Sequence, residues 1–339
     1  MARCRRPQFD ASLQSLLDSA KDGNLKEVKS YLNYRWKDVN RRNHNGWFAL
    51  MKAAFFGQPH VVRHLVLKAS ANIDLDDFEG HTSLMCAGQE GNFTILKFLI
   101  EHKANIELRT NSGFTALTMA TQAGRLEIVK FLIKSKASIE TRTNNDYTPL
   151  CIAAQEGHLE LVRFFVEEAK ARLDVRTREG LTPLIIASDK AQSEVAKYLI
   201  DAQANINAKT KKGMTALMQA ASNGGYGVAE VLVNAGADVN LTSNQGITAL
   251  SMACFHGWGA ICHLLVEDGA DMHIRTGASG ELPVEIAMRK GHRQIYKYLL
   301  KKTKVRAFGI LQRDLPYWLR MLNTSIVDAS LGQTSNSKA

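Results

Sequence analysis

One group of side chains between positions 254 and 263 has the residue types of a metal site. Cys254, His256, Cys262 and His263 carry the thiols and imidazoles that bind zinc. However, the chain contains no Cys-x-x-Cys pair, the closely spaced arrangement typical of structural zinc sites. Cys254 and Cys262 also stand where other parts of the chain place Ala and Val. We therefore interpret both thiols as core residues and expect no metal ion.

Sequence motifs for catalysis are missing as well. The chain has no phosphate-binding glycine loop, no nucleophile elbow and no dinucleotide fingerprint. Its carboxylates and histidines recur at regular intervals, as a structural role requires. These observations predict a protein that is not an enzyme, needs no cofactor and has no small-molecule substrate.

The basic residues are concentrated at the two ends of the chain. Of the net charge of +10, residues 1–42 contribute +5 and residues 286–313 contribute +9, whereas residues 43–285 contribute −4. The second basic segment contains no acidic residue. It is either the solvated face of a terminal unit or a patch for an acidic protein, an anionic membrane or nucleic acid. Its basic residues are Arg289, Lys290, Arg293, Lys297, Lys301, Lys302, Lys304, Arg306 and Arg313.

Composition predicts a folded protein of a reducing compartment. The 339 residues are 45% hydrophobic, which is enough apolar material for a substantial core. No apolar stretch reaches the roughly 18 residues that span a bilayer, so we expect no transmembrane segment. The odd number of scattered cysteines indicates the cytoplasm or the nucleus rather than secretion. These cysteines are Cys4, Cys86, Cys151, Cys254 and Cys262.

A turn residue recurs along the chain at intervals of 33 or 34 residues. It is followed by a variable residue, a Thr suited to cap a helix, a small residue or Pro, and Leu, and a second Gly ends that helix. A second helix follows, with apolar residues at helical spacing, as in Leu126, Ile128, Val129, Phe131, Leu132 and Ile133. Two such short helices cannot bury their apolar faces alone, so the units must stack on one another. The turn residues are Gly46, Gly80, Gly113, Asp146, Gly180, Gly213, Gly246 and Gly280.

This period, with its Gly-x-Thr-Pro-Leu, Ala-Ala and Gly-His elements, resembles the ankyrin repeat. The resemblance covers residues 9–302 and implies an all-α solenoid of about nine helix-turn-helix units joined by short β-hairpin-like turns. Residues 1–8 would form a basic N-terminal extension. The first unit, residues 9–42, lacks its opening turn and resembles a truncated capping repeat, and the last unit is residues 276–302.

The C-terminal tail, residues 303–339, departs from the repeat. Its apolar residues and Pro316 indicate a short helix at residues 314–323. That helix is expected to cap the exposed end of the last unit, and the alternative is that it docks on another protein.

The resemblance implies a non-catalytic interaction module or scaffold that binds a protein partner on its concave face. The residue after each turn Gly should face that surface, and most of these residues are large and apolar. They either bind the partner or pack, half-buried, on the neighbouring turn. The candidate residues are Trp47, His81, Phe114, Tyr147, Leu181, Met214 and Ile247, with Phe55 and Phe56 adding bulk at one end. An adaptor that binds acidic ligands through the basic last unit is the alternative function.

Three positions depart from the pattern or carry a further implication. Ala191-Gln192 and Gly224-Gly225 replace the usual Gly-His, and we expect loosened helix ends there. The resemblance also implies a modification, because ankyrin repeats are substrates of an asparaginyl hydroxylase. Asn240 lies in the most suitable context for it, and a purely structural turn residue is the alternative.

Overall fold

The fold is described from a computed structural model, which covers residues 11–277 and 279–307. Within these residues the chain forms eighteen α-helices. They are α1 (Ala11–Asp22), α2 (Leu25–Arg35), α3 (Ala49–Phe55), α4 (Pro59–Leu67), α5 (Ser83–Glu90), α6 (Phe93–Glu101), α7 (Ala116–Gln122), α8 (Leu126–Lys134), α9 (Pro149–Glu156), α10 (Leu159–Arg163), α11 (Pro183–Asp189), α12 (Ser193–Asp201), α13 (Ala216–Asn223), α14 (Tyr226–Asn234), α15 (Ala249–His256), α16 (Gly259–Glu267), α17 (Pro283–Arg289) and α18 (Arg293–Ala307). A 3-10 turn, Trp36–Asn40, follows α2, and a π-helical turn, Phe164–Glu168, follows α10.

The helices pair into nine units, each with an inner, odd-numbered helix and an outer, even-numbered helix. Every inner helix contacts its own outer helix and the inner helices of the neighbouring units, as α3 does with α4, α1 and α5. Strand pairing in the described residues is limited to two isolated bridges, Asp76 with Thr82 and Thr276 with Glu281. The predicted all-α solenoid of nine units is therefore confirmed. None of the described helices is long and apolar enough to cross a membrane.

Threonine caps six of the inner helices, as the sequence predicts. In each case the hydroxyl oxygen accepts a hydrogen bond from the backbone N–H three residues later, which satisfies a donor that the helix itself leaves unpaired. A cap of this kind contributes about 1 kcal/mol. The capping residues are Thr82, Thr115, Thr148, Thr182, Thr215 and Thr248.

The inner helices end in the left-handed conformation, which Gly91 adopts with φ of 89°. In the sixth unit Ala191 takes this position with φ of 55°, although a β-carbon makes that conformation unfavourable. Helix α11 nevertheless ends at Asp189 and α12 begins at Ser193, so the backbone follows the same path as in the other units.

Each hairpin-like turn closes on the residue that follows the turn Gly. Thr110 N–H donates to the Phe114 carbonyl at 2.8 Å, and Phe114 N–H donates back to the Thr110 hydroxyl at 3.0 Å. The same pair of hydrogen bonds joins Thr143 to Tyr147 and Thr177 to Leu181. The turn therefore holds these apolar residues at the base of the hairpin, next to the inner helix that they precede.

Helix α18 continues to Ala307, five residues beyond the predicted end of the last unit at 302. The segment Lys302–Ala307 contains neither Gly nor Pro, so nothing in its sequence interrupts the helix. The predicted capping helix at residues 314–323 lies outside the described residues.

Candidate functional site

Aromatic rings and one ammonium group form a cluster in the second unit. The turn before α3 supplies Trp47, and the end of α3 supplies Phe55 and Phe56. Trp47 meets Phe55 edge to face with 5.5 Å between ring centroids, and Phe55 meets Phe56 at 5.0 Å. The Lys52 ammonium lies 4.4 Å from the Trp47 centroid and 5.5 Å from that of Phe56. This aromatic cluster therefore combines cation–π contacts with open apolar surface, since Phe56 is 41% exposed.

Lys52 has no carboxylate oxygen within 4 Å among the described residues. Burial of the side chain lowers the pKa of Lys52; the charge of Asp18 opposes this shift, and the nearby ammonium of Lys21 adds to it. Lys21 itself lies 5.2 Å from the Phe56 centroid. The cluster can therefore accept an apolar side chain on the Phe56 ring and an acidic group at the two ammonium groups.

The residues after the turn glycines are half-buried along the whole stack. Phe114, Leu181 and Met214 pack against the main core, and Tyr147 packs against a small cluster around Cys151. The sequence left open whether these side chains pack or bind, and the structure gives each of them a buried part and an exposed part. The half-buried positions are Trp47, His81, Phe114, Tyr147, Leu181, Met214 and Ile247.

His81 differs from the other members of this row. Its Nδ1 lies 3.1 Å from Asp77 Oδ2, and its backbone N–H donates to Asp77 Oδ1 at 2.8 Å. The imidazole is thus held against its own turn, which leaves less of it available to a partner.

A depression of about 450 Å³ lies between the third and fourth hairpins, at the middle of the row. Phe114, Tyr147 and Ile152 supply its apolar surface, and Gln122 and Gln155 are among the carboxamides beside them. Burial raises the pKa of the Tyr147 hydroxyl, so this group stays a neutral hydrogen-bond donor over the ordinary pH range. The depression can receive an apolar side chain and hydrogen-bond the peptide groups beside it.

A second cation–aromatic contact lies at the far end of the same face. The Lys290 ammonium is 3.8 Å from the Phe255 ring centroid, and Phe255 contacts His256 at 5.0 Å. Phe255 is 42% exposed, close to the value for Phe56. Both ends of the stack therefore present an aromatic ring beside a lysine.

The basic C-terminal segment is divided between two helices and is partly neutralised. Arg289 at the end of α17 pairs with Glu281 at 2.6 Å, and Lys302 on α18 pairs with Glu267 at 2.6 Å. Both acids lie before residue 286, so counting charges within the segment could not detect them. Arg293, Lys297 and Lys301 are exposed along α18, whereas the side chains of Lys304 and Arg306, and all of Arg313, lie outside the described residues.

The Cys and His residues near position 260 do not come together as a metal-binding group in the described part of the chain. Cys254 and Cys262 are fully buried with 3.7 Å between their sulfur atoms, and the contact with the Cys262 thiol, together with burial, raises the pKa of Cys254. His256 contacts the Phe255 ring, and His263 stacks on Tyr298 at 3.6 Å. Among the described residues no group of three or more metal-binding side chains is close enough to hold an ion.

Asn240 joins two neighbouring turns. Its Oδ1 accepts from the Asp271 N–H at 2.7 Å, and its Nδ2 donates to the Gly269 carbonyl at 3.4 Å. The amide therefore has a structural role at an exposed position, and its hydroxylation stays a prediction.

Sequence reasoning missed a set of basic residues four positions before the turn residue. Each side chain donates to the backbone carbonyl of the equivalent residue in the next unit, as Arg142 does to Arg176 O at 3.1 Å and Lys209 to Thr242 O at 2.9 Å. Aligning the units on their turn residues would have revealed the set, since its members also recur every 33 or 34 residues. We call Arg109, Arg142, Arg176 and Lys209 the cation row; Arg42 donates to Asp76 O in the same way, but it also pairs with the Asp76 carboxylate and is left out of the row.

The repeat recognised in the sequence also matches a known family model, described as ankyrin repeats (3 copies). Its matches overlap and together cover residues 16–308. They lie at residues 16–110, 50–143, 103–177, 135–210, 169–243 and 217–308. A comparison with curated proteins found no significant match.

Proposed function

The chain belongs to the ankyrin-repeat family, and on that premise we propose that its concave face binds a protein partner through the half-buried apolar residues after its turns. Ankyrin repeats are generally protein–protein interaction modules and typically carry no catalytic activity. We add to this general property the surface that binds, which is the concave face. The observation that carries it is the recurrence of large apolar side chains at six of the seven consecutive hairpins from Trp47 to Ile247, with His81 as the exception.

Energetics favour this face as the site of binding. Large aromatic side chains that are held in place and partly exposed supply most of the free energy in protein interfaces. Here the turns and inner helices already fix the rings, so a partner orders few side chains when it binds. The depression beside Tyr147 supplies a place for one anchoring side chain of the partner.

The test compares two sets of aromatic substitutions. Partners captured from cells are identified by mass spectrometry, purified, and their affinity for the chain is measured by calorimetry. We expect the triple variant Trp47→Gln, Phe114→Gln, Tyr147→Gln to weaken binding at least about a hundredfold, because two or three anchors typically contribute 2 kcal/mol or more each. Its melting temperature should fall only slightly, because all three side chains are already partly exposed, and a large fall would assign them to the core instead.

The matched control places the same change on the outer helices. Tyr34, Phe93 and Tyr226 are 88%, 40% and 41% exposed there, and their replacement by Gln should leave the affinity unchanged. Loss of binding in the control but not in the concave variant would overturn the proposal.

A second candidate function is supported by the exposed basic stripe of α18. Arg293, Lys297 and Lys301 are spaced by four residues, so they share one helix face, and none of them pairs with a carboxylate of the described residues. This stripe supports an adaptor for acidic ligands. Replacing the three residues by Gln should then remove binding to anionic vesicles or acidic proteins and reduce its dependence on salt. Unchanged binding would remove this candidate.

A further inference from the structure

The cation row is preorganised by hydrogen bonds between units. Arg176 Nη1 donates to the Lys209 carbonyl at 2.6 Å, and Arg109 Nη2 donates to the Arg142 carbonyl. Each bond uses part of the side chain's donor capacity and orients the rest, because a guanidinium carries five N–H donors and an ammonium three. Four consecutive hairpins therefore present a positive group in the same, fixed position.

The cation row lies beside the apolar row of the same hairpins. The Arg109 guanidinium lies so close to Gly113 that a β-carbon there would be 2.9 Å from Nη2. Arg176 Nη1 is likewise 3.3 Å from the Gly180 carbonyl oxygen. The residues that follow these two glycines are Phe114 and Leu181. A ligand lying along this edge would therefore meet a cation and an apolar side chain in each of the four units.

No carboxylate of the described residues lies within 4 Å of any member of the cation row. The acidic residue two positions before each Arg is held in an inter-unit bond instead. The carboxylates accept from backbone N–H groups of the next unit: Glu107 from Ser138 at 2.8 Å, Glu140 from Arg172 at 3.1 Å and Asp174 from Asn205 at 3.1 Å. Exposed cations at the turns of the sixth and seventh units add further positive charge, with Glu179 as the acidic residue among them. These cations are Arg178, Lys211 and Lys212.

The spacing of the units restricts the conformation of an acidic ligand. Packed helices are about 8 to 10 Å apart, which sets the distance between equivalent residues of neighbouring units. In a β-strand, side chains three positions apart point to opposite faces, so carboxylates at this spacing cannot all reach the cation row. In a polyproline II helix there are three residues per turn and about 3.1 Å per residue, so every third side chain lies on one edge about 9 Å from the last.

From this match we propose that the fourth to seventh units bind an acidic segment of a partner protein in the polyproline II conformation, with a carboxylate at every third residue. The inference rests on the concave-face binding proposed above and specifies the chemistry of the partner. The carboxylates pair with the cation row, and the apolar side chains between them contact Phe114, Tyr147, Leu181 and Met214. In the two flanking units the equivalent positions hold Asp76 and Thr242, which are not basic. The four cations therefore limit the segment to about twelve residues, three for each cation.

Synthetic peptides test the spacing directly. The probe is a fluorescein-labelled peptide of four Glu-Leu-Pro repeats, and its binding to the full chain is followed by fluorescence anisotropy at low salt. An isomer with the same composition but four adjacent Glu residues is the control for charge alone. We expect the regular peptide to bind at least about tenfold more tightly, because only its carboxylates meet all four cations. Equal affinity of the two peptides would overturn the proposal.

Two variants with the same change in net charge test the location. The row variant carries Arg109→Gln, Arg142→Gln, Arg176→Gln and Lys209→Gln, in which Gln keeps a donor for the next carbonyl. The matched control carries Lys97→Gln, Lys130→Gln, Arg163→Gln and Lys197→Gln, on outer helices of the same part of the stack. Thermal unfolding confirms that both are folded. The row variant should lose at least about tenfold in affinity and most of the salt dependence, while the control stays within about twofold.

Other outcomes separate this inference from its premise. If both charge variants lose affinity equally, or if single-stranded DNA or vesicles rich in phosphatidylserine bind better than the regular peptide, the proposed ligand is wrong. If the row variant binds the purified partner normally while the aromatic triple variant does not, concave binding stands and the acidic segment is rejected. If neither variant affects the partner, the concave site itself is wrong.

Discussion

The side-chain amide of Asn223 donates a hydrogen bond to the backbone carbonyl of Asp189 in the preceding unit, with 2.8 Å between Nδ2 and O. In other units the equivalent carbonyl is bound by the side chain just after the next helix-ending Gly, as His292 binds Phe255 O at 3.2 Å. Gly225 holds that position in the seventh unit and has no side chain. Asn223 therefore supplies the missing bond from the end of its own helix.

We expect Asn223→Ala to lower the free energy of unfolding by about 1 to 2 kcal/mol, because the Asp189 carbonyl and carboxylate both lose a donor. Urea denaturation followed by circular dichroism measures the change. Gly225→Gln in the same background should recover part of it, since Gln192 forms this bond to Gln155 O. The backbone at Gly225 accepts a side chain, with 3.5 Å from the added β-carbon to the nearest atom. An unchanged midpoint for Asn223→Ala would show that the bond does not stabilise the joint.

Ala191 adopts a left-handed conformation with φ of 55°, which a β-carbon disfavours. Ala191→Gly should therefore raise the free energy of unfolding by about 1 kcal/mol. Ala123 precedes the corresponding Gly124 and has φ of −81°, so Ala123→Gly should lower stability by about 0.5 to 1 kcal/mol. Thermal melts of the two variants should shift in opposite directions. A shift in the same direction would mean that Ala191 is not strained.

Burial, with the charges of Asp77 and Glu90, raises the pKa of the Cys86 thiol from 9.0 to about 12. Because the pKa is higher in the folded state, the thiol stabilises the fold below pH 9.0, and this contribution is lost as the pH rises towards 12. The free energy of unfolding should fall less steeply across this range in Cys86→Ala than in the wild type. Urea denaturation at several pH values measures both slopes. Cavity formation in the variant shifts its whole curve, so the comparison depends on the slope alone, and parallel curves would contradict the prediction.

Arg176 donates to two carbonyl oxygens, Lys209 O at 2.6 Å and Gly180 O at 3.3 Å. Arg176→Ala should lower the free energy of unfolding by about 1 kcal/mol through loss of these bonds. Arg178, two residues later, is exposed, and its side chain forms no hydrogen bond with the described residues. Arg178→Ala should change stability by less than about 0.5 kcal/mol. Equal effects of the two substitutions would assign the change to net charge rather than to the hydrogen bonds.

The sequence was sufficient to predict the parts of the fold that depend on local chemistry. Thr148 and Pro149 mark the start of α9, and Gly157 marks its end, because caps and turns need particular residue types at particular positions. The number of units followed from the same signals. Ala191 marks the limit of this reasoning. It replaces the preferred Gly, yet the backbone follows the same path there as in the other units.

Features that depend on two distant residues could not be predicted in this way. Glu267 pairs with Lys302, which lies a whole unit away, so the basic segment was overestimated as an uncompensated charge. The inter-unit bonds of Arg142 and Asn223 likewise appear only when the hairpins and helix ends are placed side by side. The partial burial of side chains such as Tyr147 depends on the path of the neighbouring turn, and residue type does not specify it.

The hydrogen bonds between units have a mechanical consequence. Their partners are separated by about one unit of sequence, from 29 residues for Asn240 with Gly269 to 38 for Asn92 with Ala54. A force applied to the two ends of the described stack is therefore carried through every interface in series, because none of the hydrogen bonds in this part of the chain spans several units. We expect the molecule to yield one unit at a time under tension, beginning at an end, where a unit has only one neighbour to hold it.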